Sequence, residues 1–239
     1  MAGEQGRAYE TKCNKKLLKE GLLPKPLGYY GGSDNTAPDG EFLYKGKTYK
    51  VEYKLDMKAD FGQATLDYDT KKKRWYVTGK QTTESLQIQE LMRGAGVEDL
   101  INSNDGWKKF GIPNKFSVTG RVTKAQAIED YKTFSNKYVA ISKNAVNKYY
   151  AKKDTYYIQI GNFGLYYMDK NPADLDVPQF LPQLRVRMRL KAGGSGLSGS
   201  DYYNYRFVSA LQIVSAGVTK SKYDIEKDVS FLISLKKKR

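Results

Sequence analysis

The residues best suited to chemistry in this chain are Asp39, in Pro38-Asp39, and the pair in Glu52-Tyr53-Lys54, with Glu10 upstream in Gly6-Arg7-Ala8-Tyr9-Glu10. Carboxylates offer hard oxygen ligands for a divalent cation, and an ammonium beside them adds positive charge toward a phosphodiester. Tyr49, Val51, Tyr53 and Leu55 alternate with Lys50, Glu52 and Lys54. A strand here therefore sets Glu52 and Lys54 side by side on the face opposite the apolar residues. The competing interpretation of such a row is a solvent-facing ion pair on an amphipathic strand.

Composition narrows the chemistry. Lys and Arg number 41 against 26 Asp and Glu, a formal charge of +15 that favours polyanionic partners. There is no histidine and Cys13 is the single cysteine. Ser-His-Asp triads, imidazole-based metal sites and disulfide frameworks within the chain are thereby excluded. A metal would sit on oxygen ligands, which suits magnesium, manganese or calcium. No apolar run approaches the roughly 20 residues of a membrane span, and Met1-Ala2-Gly3-Glu4 does not open a signal peptide. These features predict an intracellular, cytoplasmic protein.

The elements that must position these residues follow from periodicity. A helix is expected from about Gln5 to Glu20, ended by Gly21, with Tyr9, Cys13 and Leu17 as a buried stripe, Leu18 beside it and Glu10 at its edge. Residues 41–55 read as a β-hairpin turning at Lys45-Gly46-Lys47. Residues 61–69 are ambiguous and 74–78 read as a strand. Helical patterns follow at 83–93, from Thr123 (where Thr123-x-x-Gln126 resembles a capping box) and over 136–150. The last third is β-rich, with strands expected at 156–160, 165–168, 184–191 and 203–214. The Gly/Ser-rich segment 193–200 reads as a surface loop.

Pro-Asp followed by Glu-x-Lys on a hairpin, with a glutamate on the preceding helix, resembles the PD-(D/E)XK nuclease superfamily. Glu52 follows Asp39 by thirteen positions, within what such a hairpin permits, and the resemblance covers residues 3 to 80. It implies an α/β (α+β) fold with a restriction-endonuclease-like core: a central mixed sheet flanked by helices, here with a β-rich C-terminal part. Residues 1–110 would form the nuclease core and 111–239 a helical, then β-rich, DNA-recognition region, with one continuous domain as the alternative. Asp39 and Glu52 would ligate Mg²⁺, with Mn²⁺ as a substitute, together with the Val51 backbone carbonyl and waters. Lys54 would stabilise charge in the transition state, and Glu10 would bind a second metal or hydrogen-bond a metal water. Asp34 and Glu41 are rivals of Asp39 as the first acid.

Further residues suggest contacts with DNA. Gln63 follows the Glu-x-Lys strand, where branches of that superfamily place a glutamine. Lys71, Lys72, Lys73 and Arg74 precede Trp75-Tyr76, and Arg185, Arg187, Arg189 and Lys191 share one face of a strand. Four like charges on one face repel and require a polyanion or interleaved acids. The sequence thus suggests a Mg²⁺-dependent endonuclease on double-stranded DNA, restriction- or homing-type, of prokaryotic or phage origin. Cutting both strands would call for a homodimer or sequential nicking. A Holliday-junction or other structure-specific nuclease and a non-enzymatic basic nucleic-acid-binding protein are the alternatives.

Overall fold

The computed structural model describes residues 2–30, 38–69, 71–103, 121–123, 137–142, 144–192, 202–214 and 218–233. The chain forms two units, each assembled from segments distant in sequence. One comprises Met1–Ala59, Ser142–Gln183 and Ile213–Arg239; the other comprises Asp60–Ile141 and Leu184–Gln212. The expected cut near residue 110 falls inside the second unit rather than between units. The reason lies in strand pairing, because the strand that carries Glu52 takes its parallel partner from about a hundred residues downstream.

In the first unit, helix α1 (Ala2–Lys19) ends as its sequence predicts. Leu22 N–H donates to Leu17 O (2.9 Å), Gly21 N–H donates to Leu18 O (3.0 Å), and Gly21 has φ +66°. This is a Schellman cap, which needs the left-handed conformation that glycine adopts without cost from a Cβ. Tyr9, Cys13 and Leu17 are buried as expected. Burial raises the Cys13 thiol to about 12, which fits a core residue rather than a reactive one. Leu18, expected beside the stripe, is instead 46% exposed, one step of about 100° around the helix from Leu17.

Strands β1 (Gly40–Tyr44) and β2 (Lys47–Lys54) form the expected hairpin. Lys45 and Gly46 both have positive φ (49° and 75°), the combination a tight two-residue hairpin turn requires. β2 then pairs in parallel with β7 (Thr155–Ile160), and β7 pairs antiparallel with β8 (Gly164–Tyr167). The resulting four-stranded mixed sheet has the order β1-β2-β7-β8. α1 covers one face through Tyr9, Cys13 and Leu17, which share a core with Phe42, Val51, Tyr53, Tyr157 and Leu165. The buried amide of Gln159 on β7 ties this core together. It donates to Tyr9 Oη (3.1 Å) and Asp224 Oδ1 (2.9 Å), and its oxygen accepts from Ile225 N–H (3.0 Å).

The second unit contains β3 (Gln63–Asp69), β4 (Arg74–Thr78), α2 (Thr83–Gly94) and α3 (Val97–Ser103). It also contains β5 (Arg121–Thr123), β6 (Lys137–Ile141) and most of β9 (Gln183–Ala192) and β10 (Tyr202–Val214). Its sheet runs β4-β3-β10-β9-β6, with β5 also on β10. The strands of the β-rich last third therefore form no element of their own: β9 and β10 share a sheet with β3 and β4, while β7 and β8 join β1 and β2. Asn102 on α3 closes the β4 edge, accepting from Trp75 N–H (2.8 Å) and donating to Trp75 O (2.9 Å).

Residues 136–150, expected as one helix, divide into β6 and α4 (Ala145–Ala151). Tyr138, Val139 and Ile141 suit a pleated strand, and β9 supplies an antiparallel ladder for them. Thr123 ends β5, and the helix expected to start there falls on 124–136, which, like 193–200, lie outside the described residues. A short helix, α5 (Ser230–Ile233), completes the helices among the described residues. None of them is long and apolar enough to cross a membrane.

Candidate active site

The alternation of β2 divides its residues as the sequence predicts. Val51 and Tyr53 are buried toward α1, while Glu52 and Lys54 occupy the opposite face, 14% and 15% exposed. Their side chains meet: Lys54 Nζ lies 2.6 Å from Glu52 Oε1. On that face α4 contributes Tyr150, whose hydroxyl donates to the same Glu52 oxygen at 2.8 Å. The end of β2 is held from β7's side, where Gly161 N–H donates to Lys54 O (2.9 Å). A Cβ at Gly161 would overlap the Leu55 carbonyl, so the backbones approach here as only glycine allows.

Asp39 precedes β1 and reaches back to β2, its Oδ2 accepting from Tyr53 N–H at 3.1 Å. α1 fixes the loop that carries it. Asn14 Nδ2 donates to Asp39 O (2.9 Å), and Asn14 Oδ1 accepts from the Tyr53 hydroxyl (3.0 Å). The neighbouring Gly40 has no room for a side chain, since a Cβ would overlap the Tyr53 ring and Asn14. Glu10 sits one helical turn before Asn14 on α1, half-buried, and feels the charges of Lys54 and Glu52. Asp39, Glu52, Lys54 and Glu10 therefore form one electrostatic group within the first unit.

The charges of this group are unequal in consequence. Burial, then the negative charge of Glu52, raises Asp39 from 3.8 to about 8, against the opposing pull of Lys54. Burial alone would also raise Glu52, but the Lys54 charge and the hydrogen bonds from Lys54 and Tyr150 outweigh it and hold Glu52 below the usual glutamate range. Burial opposes the Lys54 charge, yet Glu52 and Asp39 together keep its ammonium well above the ordinary lysine range. Burial raises Glu10, with Lys54 opposing. At neutral pH the cluster is a Glu52–Lys54 ion pair beside a protonated Asp39.

Among the described residues, no group of three or more Asp, Glu or Cys side chains stands close enough to cage a metal ion. Magnesium does not demand such a cage: it keeps several waters and takes one or two carboxylates, completing its shell with substrate phosphate. Asp39 and Glu52 fit that donor set. The rise of Asp39 also fits, because burial and the negative charge of Glu52 disfavour its ionised form, and a cation bound there would relieve this.

The remaining sequence candidates have other surroundings. Glu41 is turned toward different partners, Lys25 Nζ at 3.5 Å and the Tyr30 hydroxyl at 3.3 Å, and does not share the Glu52–Lys54 pair. Asp34 lies outside the described residues. Gln63, Lys71, Lys72, Lys73, Arg74, Arg185, Arg187, Arg189 and Lys191 belong to the second unit, whereas Asp39, Glu52, Lys54 and Glu10 belong to the first. Lys71, Lys72 and Lys73 occupy the exposed β3–β4 turn. There Asp69 Oδ1 accepts from the backbone N–H of Lys71 and Lys72, both at 2.9 Å. Arg74 pairs with Glu98 at 3.6 Å.

The structure adds Tyr150, Asn14, Gly40 and Gly161 to the residues that sequence motifs single out. Asn14 carries a signal in its four-residue spacing from Glu10, which places both on one helix face. Tyr150 carries none, lying 98 residues from its partner.

No protein-family model matches the chain, and no curated protein is similar to it. Among solved structures the chain is similar to HhaI endonuclease in complex with DNA. The TM-score is 0.42 and the identity 13%, over 88% of this chain and 93% of that one. That likeness is too distant to speak for this chain's activity.

Proposed function

We propose that the chain is a metal-dependent endonuclease that hydrolyses phosphodiester bonds of double-stranded DNA, using Asp39, Glu52, Lys54 and Glu10. The observation that carries this reading is the Glu52–Lys54 pair at 2.6 Å beside a half-buried Asp39 whose ionised form burial and the Glu52 charge disfavour. The formal charge of +15 supports a polyanionic substrate. Magnesium, with manganese as a substitute, held by Asp39, Glu52 and the Val51 carbonyl, would supply charge against the scissile phosphate and acidify the attacking water. Lys54 stays protonated and so acts by stabilising negative charge on the phosphate, not as a general base. Tyr150 and Lys54 orient the Glu52 carboxylate, and Glu10 is the group available to hydrogen-bond the attacking water. Cutting both strands would use a homodimer or two successive nicks.

The pH dependence follows from Asp39. A ligand carboxyl that titrates at about 8 must lose its proton when the cation binds. The Mg²⁺ concentration for half-maximal nicking of supercoiled plasmid is therefore expected to fall as pH rises from 6, by up to about tenfold per unit, and to level off above about 8. A Mg²⁺ requirement that is flat across this range would remove Asp39 from the ligand set.

A second reading has its own support. Glu52 is already satisfied by Lys54 and Tyr150, as a structural ion pair in a non-enzymatic nucleic-acid-binding protein would be. Tight DNA binding without nicking under either Mg²⁺ or Mn²⁺ would favour it.

A further inference from the structure

The second unit carries a crowded cationic group on one face of β9. Leu184, Val186 and Met188 are buried on the opposite face, which leaves Arg185, Arg187 and Arg189 together, about 6.8 Å apart along the strand. A single carboxylate serves the last two: Asp60 Oδ1 lies 3.4 Å from Arg187 Nη2, and Oδ2 lies 3.3 Å from Arg189 Nη2. The Gln212 amide, turned with its oxygen toward Arg187, accepts from Nη2 at 3.1 Å and Nε at 3.3 Å. Arg185 stacks over the Tyr138 ring at 3.9 Å. Tyr138 remains 44% exposed. Among the described residues, the buried Nε groups of Arg185 and Arg189 meet no hydrogen-bond partner.

Among the described residues, three guanidiniums against one carboxylate leave an excess of two positive charges on a half-buried face. Burial and the charge of Arg189 depress Arg187, although Asp60 and Tyr138 oppose this. Strand faces with like charges are destabilising unless an anion compensates. Arginine's planar fork suits phosphate oxygens, and an exposed aromatic ring among cations offers a stacking surface for a base. The three features together match the phosphodiester backbone of a nucleic acid better than a free inorganic anion, which would leave Tyr138 unused.

We infer that the Arg185–Arg187–Arg189 face binds the phosphate backbone of nucleic acid, and that Asp60 acts as an internal counter-anion that holds this affinity down. The inference rests on nucleic acid being the substrate, but not on cleavage. The incoming phosphate competes with Asp60 for Arg187 and Arg189, so Asp60 is a brake rather than a ligand.

The test is binding of the full chain to a short fluorescein-labelled duplex in EDTA, where nothing is cut, measured over a range of salt concentrations. Asp60→Asn is expected to bind about three- to tenfold more tightly near 0.1 M salt, with a log–log salt slope steeper by roughly 0.9 for each additional phosphate engaged. Arg189→Gln is expected to weaken binding by a similar factor and to flatten the slope. Thermal melts establish that each variant is folded. Should Asp60→Asn fail to fold, Arg185→Gln and Arg189→Gln decide alone, and unchanged affinity and slope in both would overturn the inference. Equal or weaker binding by a folded Asp60→Asn would remove the brake. Equally tight binding of polyglutamate in competition would show a general polyanion surface and overturn the assignment to nucleic acid. Loss of nicking with this pattern intact would count against the catalytic reading alone.

Discussion

Asp39→Asn is expected to melt at a higher temperature than the parent at pH 8 without metal, and to cut no DNA. The carboxyl of Asp39 is raised from 3.8 to about 8 in the folded chain. Between those values the folded state holds a proton that the unfolded state has released, so this group's contribution to stability falls as pH rises through the window. Asparagine keeps an oxygen to accept from Tyr53 N–H and removes the charge that burial and Glu52 disfavour. A gain of about 1–3 kcal/mol, or roughly 3–10 °C in Tm, is reasonable for relieving such a functional site. The difference from the parent should shrink as pH is lowered from 8 and vanish only below 3.8, where Asp39 is protonated in both states. Added Mg²⁺ should raise the parent's Tm more than the variant's, because only the parent presents two carboxylates. Differential scanning calorimetry over pH, with and without Mg²⁺, measures each part. A variant less stable than the parent at pH 8 would mean that the Asp39 carboxylate is well compensated.

Lys54→Met acts on the opposite side of the same balance. Lys54 lies 2.6 Å from Glu52 and is the largest charge holding Glu52 ionised. Its loss leaves a buried carboxylate without its cation, a change that typically costs about 3–5 kcal/mol. Glu52 then keeps only the Tyr150 hydrogen bond and the Lys153 charge against burial, so its pKa moves up, and the variant should regain stability as pH falls. Nicking should fall by roughly 10³-fold, the scale of losing a positioned charge at a developing oxyanion. DNA binding in EDTA should hold within about threefold, since one charge of a broad basic surface changes little. Urea melts at several pH values and a nicking time course separate the two effects. A folded, stable Lys54→Met that nicks normally would make the ion pair incidental.

These outcomes depend on residues that are legible in the sequence to different degrees. The hairpin, the split of β2 into a Val51/Tyr53 face and a Glu52/Lys54 face, and the Gly21 cap follow from short-range rules that act within one element. The juxtaposition of Asp39 with β2 is legible because a hairpin fixes which residues lie near each other. Tyr150 and Gly161 are not, since they arrive with α4 and β7, and nothing local announces that β7 will pair in parallel with β2. Residues 137–141 differ from expectation for the same reason: their helical spacing is overridden by a ladder to β9. Asp60 is the clearest case at the charged surface. The sequence requires an acid or a polyanion opposite the arginines, and an aspartate from the segment just ahead of β3 supplies part of that charge.

The most direct measurement is nicking of supercoiled plasmid by the parent and by Glu52→Gln, each with Mg²⁺ and with EDTA. Glutamine preserves the shape and still accepts from Tyr150, but it cannot carry the charge. The parent should nick only with Mg²⁺, and Glu52→Gln should be at least roughly 10³-fold slower while binding DNA in EDTA as tightly as the parent. Nicking by the parent in EDTA, or by Glu52→Gln at the parental rate, would contradict metal-dependent hydrolysis at Asp39, Glu52 and Lys54.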